Sequence, residues 1–145
     1  MEVGAREATE HDRPAVDGLA EAAVAEQVDA RGGSVWAVRE AVRDPGVEAT
    51  TFVGTVDDAV VGFARVGVDA LADGRRLGVV TQIYVERDAR EVSVGEVLLD
   101  ACIDWCRERG CVGVDAHALP GNRETKNFFE TAGLTARLIV VHRAL

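Results

Sequence analysis

An α/β fold with a mixed sheet is predicted, on three observations. Strand-like and helix-like stretches alternate in the order β-αα-β-β-β-α-β-α-β over 145 residues, a length suited to one domain, 1–145, with a real core. The 48% apolar composition supplies that core. Ile83–Trp105 reads as a buried strand, a tight turn and a long helix, and it organises the rest. In its helical part Val94, Leu98, Ala101, Cys102 and Trp105 fall at helical spacing, and Leu99, Ile103 and Cys106 widen the stripe. A helix apolar over so much of its circumference lies beneath a sheet. A sheet of about six strands with four helices follows from this order.

Val3–Ala8 makes the first strand. Asp12 is placed as an N-cap with Pro14 in the first turn, opening a helix whose Val16, Leu19, Ala20, Ala23 and Val24 share a face. Arg31-Gly32-Gly33 ends it. Ser34 then caps a shorter helix, Val35–Arg43, with Asp44-Pro45-Gly46 as its stop. Thr50–Val56 and Ala59–Val68 are β-branched runs joined by Asp57-Asp58, a hairpin signature, and Gly54, Gly62 and Gly67 mark bulges or close packing. The polar loop Asp69–Arg76 leads to a strand at Leu77–Val85. After the central helix come a strand at Cys111–Ala118, a short helix at Asn122–Ala132 and a last strand at Thr135–Arg143.

A net charge of −9 argues against nucleic acid or an anionic membrane as partner, since both demand a positive footprint. No stretch approaches the ~18 apolar residues of a membrane span, and the N-terminus lacks a signal-peptide core, so a cytoplasmic location is expected. Three cysteines, Cys102, Cys106 and Cys111, lack the spacing and histidine partners of a zinc site and read as small buried hydrophobes. No metal is expected.

Between strand and central helix lies Arg90-Glu91-Val92-Ser93-Val94-Gly95. Small residues at 93 and 95 let a ligand approach the backbone, and the helix that follows aims its unpaired N–H groups and positive dipole end there. A phosphate or pyrophosphate is the natural guest. The stretch resembles the acyl-CoA-binding motif of the GNAT acetyltransferases, Q/R-x-x-G-x-G/A, with Arg90 and Gly95 matching and Ser93 replacing a glycine. A second segment, Asn122 to Leu134, is similar to the family's N-x-x-A-x-x-F-Y-x-x-x-G-F. The strand and helix order is also that of the family.

The resemblance implies an N-acetyltransferase that uses acetyl-CoA as co-substrate and a small-molecule or peptide amine as acceptor. Backbone N–H groups of Arg90, Glu91, Val92, Ser93, Val94, Gly95 and Glu96 would hold the pyrophosphate, with Glu91 and Glu96 bringing the wrong charge for it. Ile83, Tyr84 and Val85 would face the thioester where two parallel strands splay. Asn122, Arg123 and Lys126 would meet CoA phosphates, although an exposed helix face explains the two cations equally well. The position of the family's proton-donating tyrosine is Phe129, which has no proton to give. Val79 and Thr81-Gln82 stand where other members carry acidic bases. His117, five residues before Asn122, stands where members resembling ribosomal-protein N-terminal acetyltransferases carry a glutamate base, and Asp115 on the same strand face would orient it. The alternative for His117 is a hydrogen bond that closes the sheet end. A domain that binds acyl-CoA, or a protein partner, without catalysis is the rival reading. The acids Glu21, Glu26, Asp29 and Glu40 would form a negative lip that steers cationic amines, and an unpaired final strand would allow a homodimer.

Overall fold

A computed structural model describes residues 1–44 and 46–145. Its elements are β1 (Val3–Glu7), α1 (Arg13–Gln27), α2 (Gly33–Val38), β2 (Ala49–Val56), β3 (Ala59–Ala70), β4 (Arg76–Val85), α3 (Val94–Glu108), β5 (Gly113–Ala116) and α4 (Arg123–Thr131). The five strands stand in sequence order, antiparallel from β1 to β4 and parallel between β4 and β5. This is an α/β fold with a mixed sheet.

Strand period sets the two faces. Phe52, Ala64, Val66 and Val80 pack against Leu98, Leu99, Cys102, Trp105 and Cys106 of α3. Their neighbours Val53 and Phe63 point the other way, onto Val16 and Leu19 of α1. Both faces are therefore covered, and the wide apolar stripe of α3 finds its sheet. Close approach depends on missing side chains: a Cβ at Gly54 would lie 2.5 Å from Val94 Cγ1, and one at Gly78 would collide with Cys106 Sγ. Asp57 and Asp58 both adopt positive φ, +47° and +69°, as a two-residue primed hairpin turn requires.

Several boundaries differ from expectation. Asp12 precedes α1 but does not cap it with its side chain; its carboxylate accepts from the Thr9 N–H at 2.8 Å and from Arg6 Nη1 at 2.7 Å, tying β1 to the helix start. α2 begins after Gly32 at φ +77° and ends at Val38, so Ser34 lies inside it. Its Val35 and Val38 stay exposed, and with little to bury the helix stops after six residues. Of the expected stop, Asp44-Pro45-Gly46, Pro45 lies outside the described residues. β5 is only the core of Cys111–Ala118.

The largest correction is the last strand. Thr135–Arg143 joins no ladder, and among the described residues the sheet has five strands where about six were expected. β-branched side chains favour extended backbone, yet a strand also needs a neighbour for its N–H and C=O groups. Here Arg137 is drawn to Asp115 by its side chain while the residues that follow remain exposed.

Candidate active site

The site lies where β4 outruns β5. Pairing between them covers Leu77–Val80 with Gly113–Ala116 and stops there, whereas β4 continues to Val85. A bulge at Thr81 breaks the register with β3, since Arg65 pairs with Gln82 and Val66 with Val80. Beyond it, Glu86 N–H donates to the Val61 carbonyl at 2.9 Å, and alternation then turns the backbone of Tyr84 toward β3 and that of Ile83 and Val85 away from it. Those two residues thus present amide groups to the gap, with no ladder partner on that side. The Val85 carbonyl accepts from Arg90 Nε at 2.8 Å.

The chain then turns into α3 through Ser93, which holds φ +66°. That left-handed conformation explains why glycine suits the position, and serine adopts it at a cost of about 1–2 kcal/mol. Ser93 makes no side-chain cap bond, so the N–H groups that open α3 keep their donor capacity for an external anion. Glu91, Ser93 and Glu96 are exposed, Val92 is half-buried and Val94 buried. A Cβ at Gly95 would reach the Phe128 ring at 3.2 Å, so α4 backs the turn with an aromatic edge. The Arg90 and Val92 N–H groups are already given to the Arg87 and Ala89 carbonyls, at 3.3 and 3.5 Å, contrary to expectation, and the backbone that remains at the start of α3 fits a pyrophosphate.

Arg90 does something other than wait for a phosphate. Nη1 and Nη2 bond both oxygens of Glu26 on α1, at 2.9 and 2.8 Å, and the guanidinium lies over the Tyr84 ring. Tyr84 donates its own hydroxyl to Glu26 at 3.0 Å. The pair with Arg90 holds the Glu26 carboxyl below its ordinary range, while burial, then the hydrogen bond to Glu26, raises the Tyr84 phenol. Glu26 is therefore no free charge on an acidic lip but a clasp from the rim helix to the turn. Sequence reasoning did not reach that pairing, because the partners are 64 residues apart and nothing local links them. Glu26→Gln is expected to lower stability by about 1–3 kcal/mol at neutral pH, the range for breaking a charge-assisted pair. A depressed carboxylate stabilises above its unfolded value and loses that contribution as pH falls. The melting-temperature gap between wild type and variant should therefore narrow below pH 4.5. A gap that stays constant through acid pH would show that the clasp adds nothing.

His117 follows β5 and lines a cavity of about 40 Å³ with Ile83, Tyr84, Gln27, Trp36 and Asn122, room for about one water-sized group. Its Nδ1 is buried with no hydrogen-bond partner. Burial, with Arg43 second, pushes the imidazole below 6.5, against the opposing charges of Glu40, Asp115 and Asp69. The shift favours the neutral imidazole over the charged one. The expected orienting bond from Asp115 is not formed; that carboxylate accepts from Arg137 Nε at 2.8 Å and from Nη2. The expected hydrogen bond closing the sheet end is not made by Nδ1 either.

On α4, Asn122 caps the helix by accepting the Thr125 N–H at 3.0 Å. Arg123 is exposed, and Lys126 approaches Glu130 at 3.7 Å. Phe129 is buried in the α3 core, whereas half-buried Phe128 is the ring beside Gly95. Gln82, 8% exposed, accepts from Arg65 at 2.7 Å and fills the place expected of an acid. Burial pushes the thiols of Cys102 and Cys106 up to about 12, which removes them as nucleophiles at neutral pH. Among the described residues no cluster of three metal-ligating side chains occurs, and no helix is long and apolar enough to cross a membrane.

A family model described as the acetyltransferase (GNAT) family matches residues 19–134. The chain belongs to that family. In fold it is similar to a tetramutant protein from Bacillus halodurans, at 18% identity over 100% of both chains with a TM-score of 0.79. It is likewise similar to a ribosomal-protein-alanine N-acetyltransferase from Brucella melitensis biovar Abortus, at 21% identity over 99% of each chain with a TM-score of 0.74. A glucosamine-6-phosphate N-acetyltransferase from Arabidopsis thaliana shares 16% identity over 99% of each chain, with a TM-score of 0.71. No curated protein sequence matches the chain.

Proposed function

We propose that this protein transfers acetyl from acetyl-CoA to a primary amine by direct attack within a ternary complex. The observation that carries the reading is the divergence of β4 from β5 beside the uncapped N-terminus of α3. The pyrophosphate would lie on the backbone of Glu91–Glu96, and the thioester would enter the gap beside Ile83 and Val85. Neutral His117 would take the surplus proton from the incoming ammonium, directly or through one water. The amine nitrogen then bonds to the carbonyl carbon, and the carbonyl oxygen becomes an oxyanion facing backbone donors. When the C–S bond breaks, the proton shed by the nitrogen satisfies the departing thiolate, since Phe129 has none to offer.

A second reading, a domain that binds acyl-CoA or a protein partner without turnover, is favoured by the departures at Glu91, Ser93, Glu96 and Phe129. Calorimetric titration with acetyl-CoA and with free CoA, followed by an amine screen, separates the two. Wild type is expected to bind both ligands, and a variant with bulky acidic substitutions at Ser93 and Gly95 to bind neither. Ser93→Gly should bind more tightly, because it relieves the left-handed serine and opens the cradle. Binding that ignores all of these changes would place the cofactor elsewhere. Binding without turnover on any amine would favour the second reading.

A further inference from the structure

A second cavity, of about 400 Å³, opens beside the start of α1, with Thr51 and Arg65 of the sheet on one wall and Val16 of the helix on another. It shares a flank of α1 with the cavity at His117. Val16 lines the first, and Ala23 and Gln27 line the second, a helical spacing that keeps all three on one side of α1. The sheet beneath is continuous as well. Thr51 pairs with Arg65 and Arg65 with Gln82, each two residues from Val53, Phe63 or Tyr84, which pack toward α1. Strands β2, β3 and β4 therefore present a polar row on that face. Gln82 also lines the His117 cavity, so the two cavities meet at the Arg65–Gln82 pair, bonded at 2.7 Å from Nη1 to Oε1.

Arg65 is the unusual member of the row. It is half-buried, its guanidinium carbon lies 5.2 Å from the centre of the fully buried Phe63 ring, and Gln82 fixes one of its nitrogens. Ring and amide hold the group in place, but neither neutralises it. Among the described residues Arg65 has no carboxylate partner, in a chain whose acids outnumber its Lys and Arg by 25 to 16. Exposed Arg13, Glu10 and Asp17 line the mouth of the cavity, where water and salt screen their charges. The charge of Arg65 is fixed, partly desolvated and unpaired. Such a guanidinium is complementary to a carboxylate or phosphate, which it grips through its remaining N–H groups.

We propose that the amine acceptor carries a carboxylate or phosphate group, which Arg65 binds while the amine stands at His117. The inference rests on the β4–β5 gap being the site of transfer. Two strand spacings set Arg65 and the end of β5 on the order of 10 Å apart, within reach of one small molecule that bonds both. An anionic acceptor reverses the cationic one expected from an acidic rim, whose Glu26 is already bonded to Arg90.

Acceptor kinetics with matched straight-chain amines test it, one ending in a carboxylate, one in a phosphate, one in a neutral amide and one in a second ammonium. In wild type the anionic acceptors should exceed the amide in kcat/KM by about 10–100-fold, acting through KM, which is the worth of a charge-assisted hydrogen bond. The better of the two identifies the anion. Arg65→Gln should abolish that preference, Arg65→Lys should restore part of it, and Arg65→Glu should turn it toward the diamine. A merely structural Arg65 would lower every acceptor alike, and that result overturns the proposal. So does a wild-type preference for the amide or the diamine. Calorimetric titration with the same amines, with and without free CoA, separates this site from acetyl transfer itself. If no amine turns over, anionic amines that bind wild type and lose affinity in Arg65→Gln keep the site and remove only the transfer reading. Binding that ignores the terminal group, or no binding, removes the site.

Discussion

His117→Ala is expected to slow acetyl transfer by about 10²–10⁴-fold, the usual contribution of a positioned general base. Acetyl-CoA affinity should stay near wild type, because the residue lies after β5 and outside the turn that opens α3. The pH profile makes the test specific. Burial lowers the imidazole from its ordinary value, so the base is lost as pH falls through that lowered value. Wild-type kcat/KM should therefore carry an acid limb below pH 6.5, which the variant lacks. Stability follows the same sign: the unfolded chain binds the proton first, so the folded state loses ground as pH drops below 6.5. Arg43 reinforces the lowering, whereas Glu40, Asp115 and Asp69 oppose it. Arg43→Ala should then shift the limb upward without removing it. Unchanged turnover in His117→Ala would take the residue out of the mechanism.

What the sequence made legible is local. The stripe from Val94 to Trp105 gave the central helix, Asp57-Asp58 gave the hairpin, and Asn122–Ala132 gave α4, each within a few residues of the feature it sets. What it hid depends on partners far along the chain. Nothing near Arg90 announces Glu26, and nothing near Asp115 announces Arg137, so one residue expected to meet phosphate and another expected to orient a base are both held by ion pairs. The final strand failed for a related reason. Thr135–Arg143 has the composition of a strand but no ladder within one copy, and composition cannot supply the neighbour. Ser93 shows the reverse case: its departure from the glycine of the motif matters because the backbone there adopts positive φ, a fact the motif carries and the residue does not.

Gly54→Ala is expected to damage both stability and cofactor binding, although residue 54 lies on β2 and touches no ligand. A Cβ there would stand 2.5 Å from Val94 Cγ1 and 2.9 Å from Leu98 Cδ1, and both side chains are fully buried. Neither can swing aside, so α3 itself must lift from the sheet. Overpacking of this kind costs about 1–3 kcal/mol, a fall in melting temperature on the order of 5 °C or more. The functional consequence follows from what α3 carries. Val94 is its first residue, next to Ser93, and any displacement of the first turn moves the N–H donors that would face a pyrophosphate. Acetyl-CoA affinity should therefore drop along with stability. Gly18→Ala is the contrast, since that glycine is exposed on α1 with nothing within 4 Å of an added Cβ. There alanine should stabilise by roughly 0.5–1 kcal/mol through helix propensity and leave affinity unchanged. A Gly54→Ala protein that melts and binds like wild type would mean that α3 can retreat without cost. In that case the close seat of the helix on β2 would not be what positions the turn.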